Sequence, residues 1–254
     1  MINFSAPSAP LGAAERPSPV VYNAVLERIV EHATDTRSLF LRLPADQSLV
    51  FKPGQFLSFA LPVAGKVLTR PYSIASDSDN GALLEICFNI VPGGLGSQYL
   101  WRRVVGDVLQ FTGPWGTFVF DQPPPNECVF IAEGVGIAPL RPMLKRAILS
   151  DVGMPVRLMY SAVSENALIY RLEFQEWEKR RAHFCFEPLL SDLSAEQSKD
   201  YVLLLKVIEQ RYIFADSNRS RHFYICGVGS IVTTIKNLLR QAGYQRRAVQ
   251  YEKW

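Results

Sequence analysis

The amino-acid sequence predicts two domains, an antiparallel β-barrel followed by an α/β domain with a parallel sheet. A chain of 254 residues has room for two domains of roughly 100–150 residues each. Its first half has short apolar runs separated by Gly and Pro, a pattern typical of a small antiparallel barrel. In its second half, strand-like and helix-like segments alternate, which favours a parallel sheet with crossover helices. The predicted boundaries are a flexible arm at 1–19, the barrel at 20–121, a stiff linker at 122–126 and the α/β domain at 127–254.

In the barrel half, strand-like runs alternate with turn signals such as Pro53-Gly54. The segment 68–76 has the apolar spacing of a strand, and a short helix is predicted near Gly96–Arg103. The other predicted strands are Ser38–Leu43, Gln55–Leu61, Leu83–Val91 and Asp107–Phe111.

In the second half the pattern begins with a buried strand and continues as alternating helices and strands. The predicted strands are Cys128–Ala132, Val156–Ala162, Phe184–Leu190 and Phe223–Cys226, with an alternating terminal segment Val249–Trp254. The predicted helices are Pro139–Leu149, Leu172–Arg181 and Ser230–Ala242.

Composition and charge indicate a globular protein without a membrane-spanning segment. The chain is 48% hydrophobic and 20% charged, as an ordinary globular protein is. Its net charge of +3 argues neither for nor against a nucleic-acid partner, and we expect none. No apolar run approaches the roughly 20 residues that span a bilayer, so we expect no membrane insertion. The first twenty residues lack a basic stretch followed by an apolar core, so we expect no secretory signal and a cytoplasmic location.

The four cysteines are spread along the chain, at Cys87, Cys128, Cys185 and Cys226. Zinc knuckles and iron–sulfur centres need closely spaced cysteines, so we predict no metal site. Free thiols in a chain without an export signal fit a reducing compartment.

The segment from Leu68 to Ser76 carries the first chemical signal. Arg70 can clamp an anion with two parallel hydrogen bonds. Tyr72 offers a flat face suited to stacking on a ring, and Ser73 a small hydroxyl that can approach that ring closely. Together they predict a site for a planar cofactor that carries a phosphate. The alternative is an edge strand whose Arg and Tyr face water.

Two turns add anion-binding signals. In the glycine-rich turn 91–98, Ser97 is expected to open a helix whose free N–H groups favour a pyrophosphate; the alternative is a hairpin with Ser97 as an ordinary N-cap. The turn 133–139 places Gly134 and Gly136 directly after a buried strand and before a helix that Pro139 can start. Tight strand-to-helix turns also use glycine without binding anything.

A third turn follows Cys226 and Gly227 at the end of a predicted parallel strand. Open parallel sheets bind ligands at the carboxyl ends of their strands. A cysteine is more often a small buried core residue than a functional one. Because of its place at this strand end, we interpret Cys226 as a site residue.

In this order, the motifs closely resemble those of the bacterial ferredoxin–NADP reductase family. Residues 70–73 match its flavin-binding Arg-x-Tyr-Ser motif, and 94–97 match its flavin pyrophosphate turn. Residues 134–139 match its nicotinamide-nucleotide loop, and 226–227 its Cys-Gly strand end. The ending 251–254, with a Glu two residues before a terminal aromatic, is similar to a family ending.

The resemblance implies a barrel that binds FAD and an α/β domain that binds NAD(P)H, with hydride passing from the nicotinamide C4 to the flavin N5. Electrons then leave singly to ferredoxin or flavodoxin. It further implies catalytic roles for Ser73 near N5, Cys226 beside the nicotinamide, Glu252 in proton traffic and Trp254 as a gate over the ring. The implied cofactor contacts are Arg70, Pro71, Tyr72, Ser73, Asn89, Ile90, Val91, Gly94, Leu95, Gly96, Ser97, Gln98, Gly134, Val135, Gly136, Pro139, Ser161, Ser191, Cys226, Gly227 and Trp254.

Two departures from the family pattern concern the nucleotide. Glu133 and Val135 replace a glycine and a threonine of the usual loop, which alters the expected nicotinamide contact. Val163 and Asp192 stand where NADP-using members have phosphate-binding arginines, and Asp would repel a phosphate dianion. These residues favour NADH, unless Arg171 supplies the missing cation.

Two other function classes stay open. The chain could be an electron-transfer subunit of a larger oxygenase or dehydrogenase complex, although many such subunits carry a cysteine cluster that this chain lacks. It could also be a nucleotide sensor without turnover, although sensing would not need the intact motif at 70–73 or a terminal gate.

Overall fold

A computed structural model describes residues 20–150, 153–190 and 200–253. Within these ranges the chain forms an antiparallel six-stranded sheet and then a parallel five-stranded sheet flanked by helices, which confirms the predicted fold class. The predicted arm at 1–19 lies outside the described residues, as do Ser191, Asp192 and Trp254.

The antiparallel sheet has the strand order β4-β3-β6-β1-β2-β5. A bridge between Ile74 and Ile86 and a hydrogen bond from Ala75 N–H to the Glu85 carbonyl join its two ends, so the sheet closes into a barrel. Alternate side chains of these strands point inward and are buried, as a two-residue period requires. The strands are β1 (Val21–Ala33), β2 (Thr36–Arg42), β3 (Phe56–Val63), β4 (Lys66–Ser73), β5 (Leu83–Asn89) and β6 (Val108–Trp115).

The parallel sheet has the strand order β11-β10-β7-β8-β9. Its strands are β7 (Cys128–Glu133), β8 (Val156–Ala162), β9 (Phe184–Leu190), β10 (His222–Gly227) and β11 (Val249–Lys253). Helices α2 (Ile137–Ile148) and α3 (Arg171–Arg180) pack on one face, and α4 (Asp200–Glu209) and α5 (Gly229–Gln241) on the other. Because both faces are covered, the three central strands β10, β7 and β8 are mostly apolar and buried.

The two domains share an apolar core. Phe118 and Phe120, from the segment that follows β6, pack on Tyr224 of β10, with ring centroids 6.4 Å and 5.2 Å away. Ala75 and Cys87 of the barrel belong to the same buried cluster as the inner face of α2. The connection between the sheets is therefore packed against both domains.

Two elements were missed by the sequence patterns. Strand β1 contains register shifts between Leu26 and Arg28 and between Glu31 and Ala33, which break the alternation that identifies a strand. Helix α4 continues into a π-helical turn at Gln210–Phe214. The helix predicted near Gly96–Arg103 is α1 (Leu95–Trp101).

No helix in the described ranges is long and apolar enough to cross a membrane. In the same part of the chain, no cluster of three or more His, Cys, Asp or Glu side chains could hold a metal ion.

Candidate functional site

The end of β4 lies directly against the start of α1. A Cβ atom added to Gly96 would be 2.9 Å from Arg70 Cγ and 3.4 Å from the Tyr72 hydroxyl. A side chain at position 96 would therefore push Arg70 aside where the two predicted flavin motifs meet. Arg70 is exposed, and its Nη1 donates 2.8 Å to the Thr69 carbonyl, while Pro71 beside it is also exposed. The guanidinium is thus placed to reach an anion over the turn.

The Tyr72 ring packs edge-on against Phe59 and Phe88, with centroids 5.7 Å and 5.5 Å away. Burial raises the pKa of Tyr72 to about 12. Its hydroxyl stays protonated at neutral pH, so the side chain presents a neutral ring and a polar tip.

The turn after β5 corrects the expectation for Ser97. The helix begins at Leu95 with Gly94 as its N-cap, so Ser97 lies inside the first turn and does not open it. Its hydroxyl donates 3.1 Å to the Gly94 carbonyl and accepts 3.0 Å from the Val91 N–H. Ser97 therefore closes the turn internally, and Gln98 N–H also bonds the Gly94 carbonyl at 3.0 Å.

Asn89 and Ile90 are held by the β1–β2 hairpin. Asn89 Nδ2 donates 3.5 Å to the Asp35 carboxylate, and Ile90 N–H donates 2.8 Å to the Asp35 carbonyl. Within the described part of the chain, the buried Oδ1 of Asn89 has no hydrogen-bond partner. A buried acceptor without a partner fits a donor from a bound molecule.

The loop after β7 makes a close backbone contact with the end of β10. A Cβ atom on Gly136 would lie 2.2 Å from the Cys226 carbonyl oxygen, so this position accepts glycine alone. Gly134 has a φ of +51° and open space around it. Val135 lies between them, and Pro139 is buried in the first turn of α2. The loop thus leaves a surface that a phosphate group can approach.

Glu133 is oriented by the neighbouring strand. Its Oε2 accepts 2.9 Å from the Val228 N–H, and a Cβ atom on Gly227 would lie 2.9 Å from the Glu133 Cβ. The glutamate that replaces a family glycine therefore binds the turn after β10.

Three residues predicted as catalytic come together from three strands. Ser73 of β4 donates 3.2 Å to Glu252 Oε1 of β11, and Glu252 is the strand partner of Cys226 in β10. Burial raises the pKa of Glu252, and the hydrogen bond from Ser73 opposes that shift. Cys226 is 1% exposed, and burial, with Glu252 nearby, raises its pKa well above the usual range. The group thus combines a neutral thiol with a carboxyl whose pKa is raised by burial.

A cleft of about 270 Å³ separates the barrel from the carboxyl ends of β7 and β8. Its lining includes the predicted residues Asn89, Gly134, Val135 and Ser161. Sequence patterns missed Asp35, Thr36, Ala167 and Ile169, which also line it. Asp35 and Thr36 lie at the β1–β2 hairpin, where polar residues ordinarily indicate a turn.

The residues fit the two groups implied by the fold. Gly96 packs against Arg70 and Tyr72, and Gly136 packs against the Cys226 carbonyl. Arg70 would be the cation for a flavin phosphate, and the Gly134–Gly136 turn would supply backbone groups to a nucleotide.

Comparisons with known proteins agree with this architecture. The model of the oxidoreductase FAD-binding domain matches residues 23–120, and that of the oxidoreductase NAD-binding domain matches 130–237. Ferredoxin–NADP reductase B of Sorangium cellulosum is 29% identical over 222 residues, 86% of this chain and 91% of that protein. The toluate 1,2-dioxygenase electron transfer component of Pseudomonas putida is 27% identical over 237 residues, 92% of this chain and 67% of that protein.

A solved structure shares the fold. The ferredoxin–NADP+ reductase from Neisseria gonorrhoeae, with bound FAD and NADP, superposes with a TM-score of 0.74 and 18% identity, covering 92% of this chain and 98% of that one. FAD and NAD(P)H are the cofactors of the two matched domains. With both domains and their order in agreement, this chain belongs to the ferredoxin reductase-like family of flavoprotein oxidoreductases.

Proposed function

We propose that this protein is an NADH-preferring reductase that delivers electrons singly to a separate carrier, ferredoxin or flavodoxin. The observation that carries the proposal is the meeting of Ser73, Glu252 and Cys226 where the barrel faces the parallel sheet. Bound FAD supplies the conversion of a two-electron hydride donor into one-electron steps.

The chain's own residues would bind and orient the reactants. Arg70 would hold the flavin phosphate, Tyr72 would pack against the ring, and Ser73 would offer its hydroxyl near N5. Glu252 would hold or accept a proton at its carboxyl group, since burial favours its neutral form. Cys226 would border the nicotinamide as an uncharged thiol.

The preference for NADH rests on the charges around the cleft. Val163 is 47% exposed at the cleft and offers no cation, while the Asp35 and Glu133 side chains also line it. Carboxylates repel a phosphate dianion but can accept hydrogen bonds from a ribose diol. Arg171, the possible rescue, forms an ion pair with Glu165 at 2.8 Å.

The second candidate is an electron-transfer subunit of a larger oxygenase or dehydrogenase complex. It is supported by the similarity to the Pseudomonas putida component, a longer protein of which this chain covers 67%. Against it stands the wide spacing of the four cysteines along the sequence. We therefore favour a reductase that serves a separate carrier.

Stopped-flow flavin reduction with NADH and NADPH, side by side, tests the first step. We expect reduction by both and a higher efficiency with NADH. Clearly better efficiency with NADPH would contradict the charge argument, and no bleaching by either nucleotide would favour the sensor. Turnover with purified ferredoxin and flavodoxin then tests the acceptor, and stable co-purification with an oxygenase would favour the subunit.

A further inference from the structure

A buried ion pair joins the two domains behind the site. Arg141 of α2 places Nη1 2.7 Å from Glu85 Oε2 of β5 and Nε 2.8 Å from Glu173 Oε2 of α3. Glu85 is 2% exposed. Removing one member of such a pair leaves an uncompensated buried charge, so the contact is costly to break.

Arg141 also bonds the segment that follows the flavin motif. Its Nη1 donates 3.0 Å to the carbonyl of Ala75, two residues after Ser73. The Ala75 N–H donates to the Glu85 carbonyl at 2.8 Å, and the Glu85 N–H donates to the Ser76 hydroxyl at 3.1 Å. The guanidinium therefore contacts both the backbone and the carboxylate of the barrel's closing bridge.

The other oxygen of Glu85 is occupied as well. Oε1 accepts from the Tyr170 hydroxyl and from the Ser38 hydroxyl, each at 2.6 Å. Tyr170 has a φ of +59°, which is uncommon for a residue with a side chain, and the Arg141 guanidinium lies 4.3 Å from its ring centroid. A strained residue at an interface is retained when its neighbours determine its conformation, and here those neighbours come from both domains.

The residues at both ends of this network lie close in sequence to the predicted site residues. Arg141 lies in α2, five positions after Gly136, which is the N-cap of that helix and the last residue of the nucleotide loop. Ala75 lies two positions after Ser73 on the other side. A bond between Arg141 and Ala75 thus couples the nucleotide loop to the flavin motif through rigid elements.

From this coupling we propose that Arg141 and Glu85 are positioning residues that set the separation of nicotinamide and flavin. The inference rests on the proposed hydride transfer between these two groups. Reaction rates depend steeply on such a separation, and a misplacement of about 1 Å can cost about 100-fold. The pair would therefore act on the hydride step and leave the affinity for each cofactor nearly unchanged.

A second interdomain ion pair supplies the matched control. Lys145 lies one turn further along α2 and pairs with Asp77, with side chains 35% and 33% exposed. The Lys145 and Asp77 side chains are not hydrogen-bonded to Glu85 or to any described side chain that contacts Glu85. A change at Lys145 removes an interdomain charge pair without touching the Ala75 carbonyl.

The kinetic test compares Arg141→Gln, Glu85→Gln and Lys145→Gln as FAD-loaded proteins. We expect the limiting rate of flavin reduction at saturating NADH to fall about 10- to 100-fold in the first two variants, with an NADH dissociation constant within about threefold of the original. Lys145→Gln should change the rate less than twofold. If Arg141→Gln fails to fold, Arg141→Lys replaces it in the same measurement. Lysine keeps the charge, but its ammonium group cannot bond several acceptors at once as the planar guanidinium does.

A structural readout separates positioning from the proposed function. Spin labels at Val50 of the barrel and Asn237 of α5, in a Cys185→Ser background, report the distance between the domains. We expect a broadened or shifted distance distribution in Arg141→Gln and an unchanged one in Lys145→Gln.

A lower melting temperature with unchanged rate and distances would overturn the inference, since the pair would then be structural alone. A loss confined to nucleotide affinity would overturn it too. If neither nucleotide reduces the unaltered protein, the proposed function falls, while the label distances still decide whether the pair holds the domains in one arrangement.

Discussion

Arg70 and Lys66 lie on the same face of β4 and are both exposed, but they have different neighbours. Arg70 packs beside Gly96 in the first turn of α1, whereas Lys66 lies at the β3–β4 hairpin. The role of a side chain in the candidate site therefore depends on its immediate neighbours as well as on its charge.

Arg70→Ala should weaken FAD binding. Hydrogen bonds to a charged group contribute about 1.5–3 kcal/mol, which corresponds to a roughly 10- to 150-fold rise in the dissociation constant. Flavin fluorescence on dilution measures this release. Lys66→Ala removes a cation from the same strand and should leave FAD binding nearly unchanged; an equal loss in both variants would indicate a general charge effect.

Glu252→Gln should change how stability depends on pH. Burial raises the pKa of Glu252, so the folded state binds this proton more tightly than the unfolded state does. The wild type therefore loses stability as pH rises from the unfolded pKa through the raised folded value, and the variant lacks this loss. Melting temperatures across pH 4 to 8 should show the variant gaining relative to wild type as pH increases. A constant difference would show that Glu252 titrates normally.

The sequence could predict those site residues that lie together in one short motif or at a recognisable strand end. Arg70, Tyr72 and Ser73 form one short motif, and the strand end at Cys226 follows from the parallel-sheet rule. The orientation of Glu133 could not be predicted, because its partner, the Val228 N–H, is 95 positions away. The helix start predicted at Ser97 was wrong, because α1 begins at Leu95 and the Ser97 hydroxyl bonds backward to Val91 and Gly94.

At the scale of elements, the junction of β7 and α2 depends on two glycines that have different reasons to be glycine. Gly134 has a left-handed φ in open space, and Gly136 meets the Cys226 carbonyl. The first position needs conformational freedom, and the second needs the absence of a side chain.

Gly136→Ala should be more harmful than Gly134→Ala. An alanine at 134 adopts a left-handed conformation that costs about 1–2 kcal/mol, without a collision. At 136 the added methyl collides with backbone, which costs about 1–3 kcal/mol and moves the loop. Thermal unfolding and NADH titration of both variants check this. We expect weaker NADH binding in Gly136→Ala; equal effects would mean that the loop shifts freely.

Elements with regular patterns were predicted closely, and irregular ones were not. Strand Val156–Ala162 has the predicted bounds, because most of its residues are apolar and its ends are clear. Strand β1 was missed because its bulges place charged residues out of alternation. Helix α4 has apolar residues on its exposed side as well, such as Leu203, and it passes into a π-helical turn, which no periodicity rule describes.

For the whole molecule, the shared core predicts that the two domains unfold together. Phe120 is fully buried between Phe130 and Tyr224, with ring centroids 5.9 Å and 5.2 Å away. Phe120→Ala should lower the free energy of unfolding by about 3–5 kcal/mol. Phe214→Ala, at a position 75% exposed, should change it by less than about 0.5 kcal/mol. Calorimetry should show one transition for the unaltered protein; two well-separated transitions would mean that the domains unfold independently.

The shared core also limits how this protein can be recombined with its relatives. Domains joined by a free linker can be exchanged between proteins as independent units. Here Phe118 and Phe120 pack against Tyr224. A barrel from another protein that lacks them would leave a cavity in the nucleotide-binding domain. A chimera should therefore divide the chain before residue 118 and carry that segment with the nucleotide-binding half. Engineers who want a new acceptor or cofactor preference would thus gain more from exchanging surface loops than from exchanging whole domains.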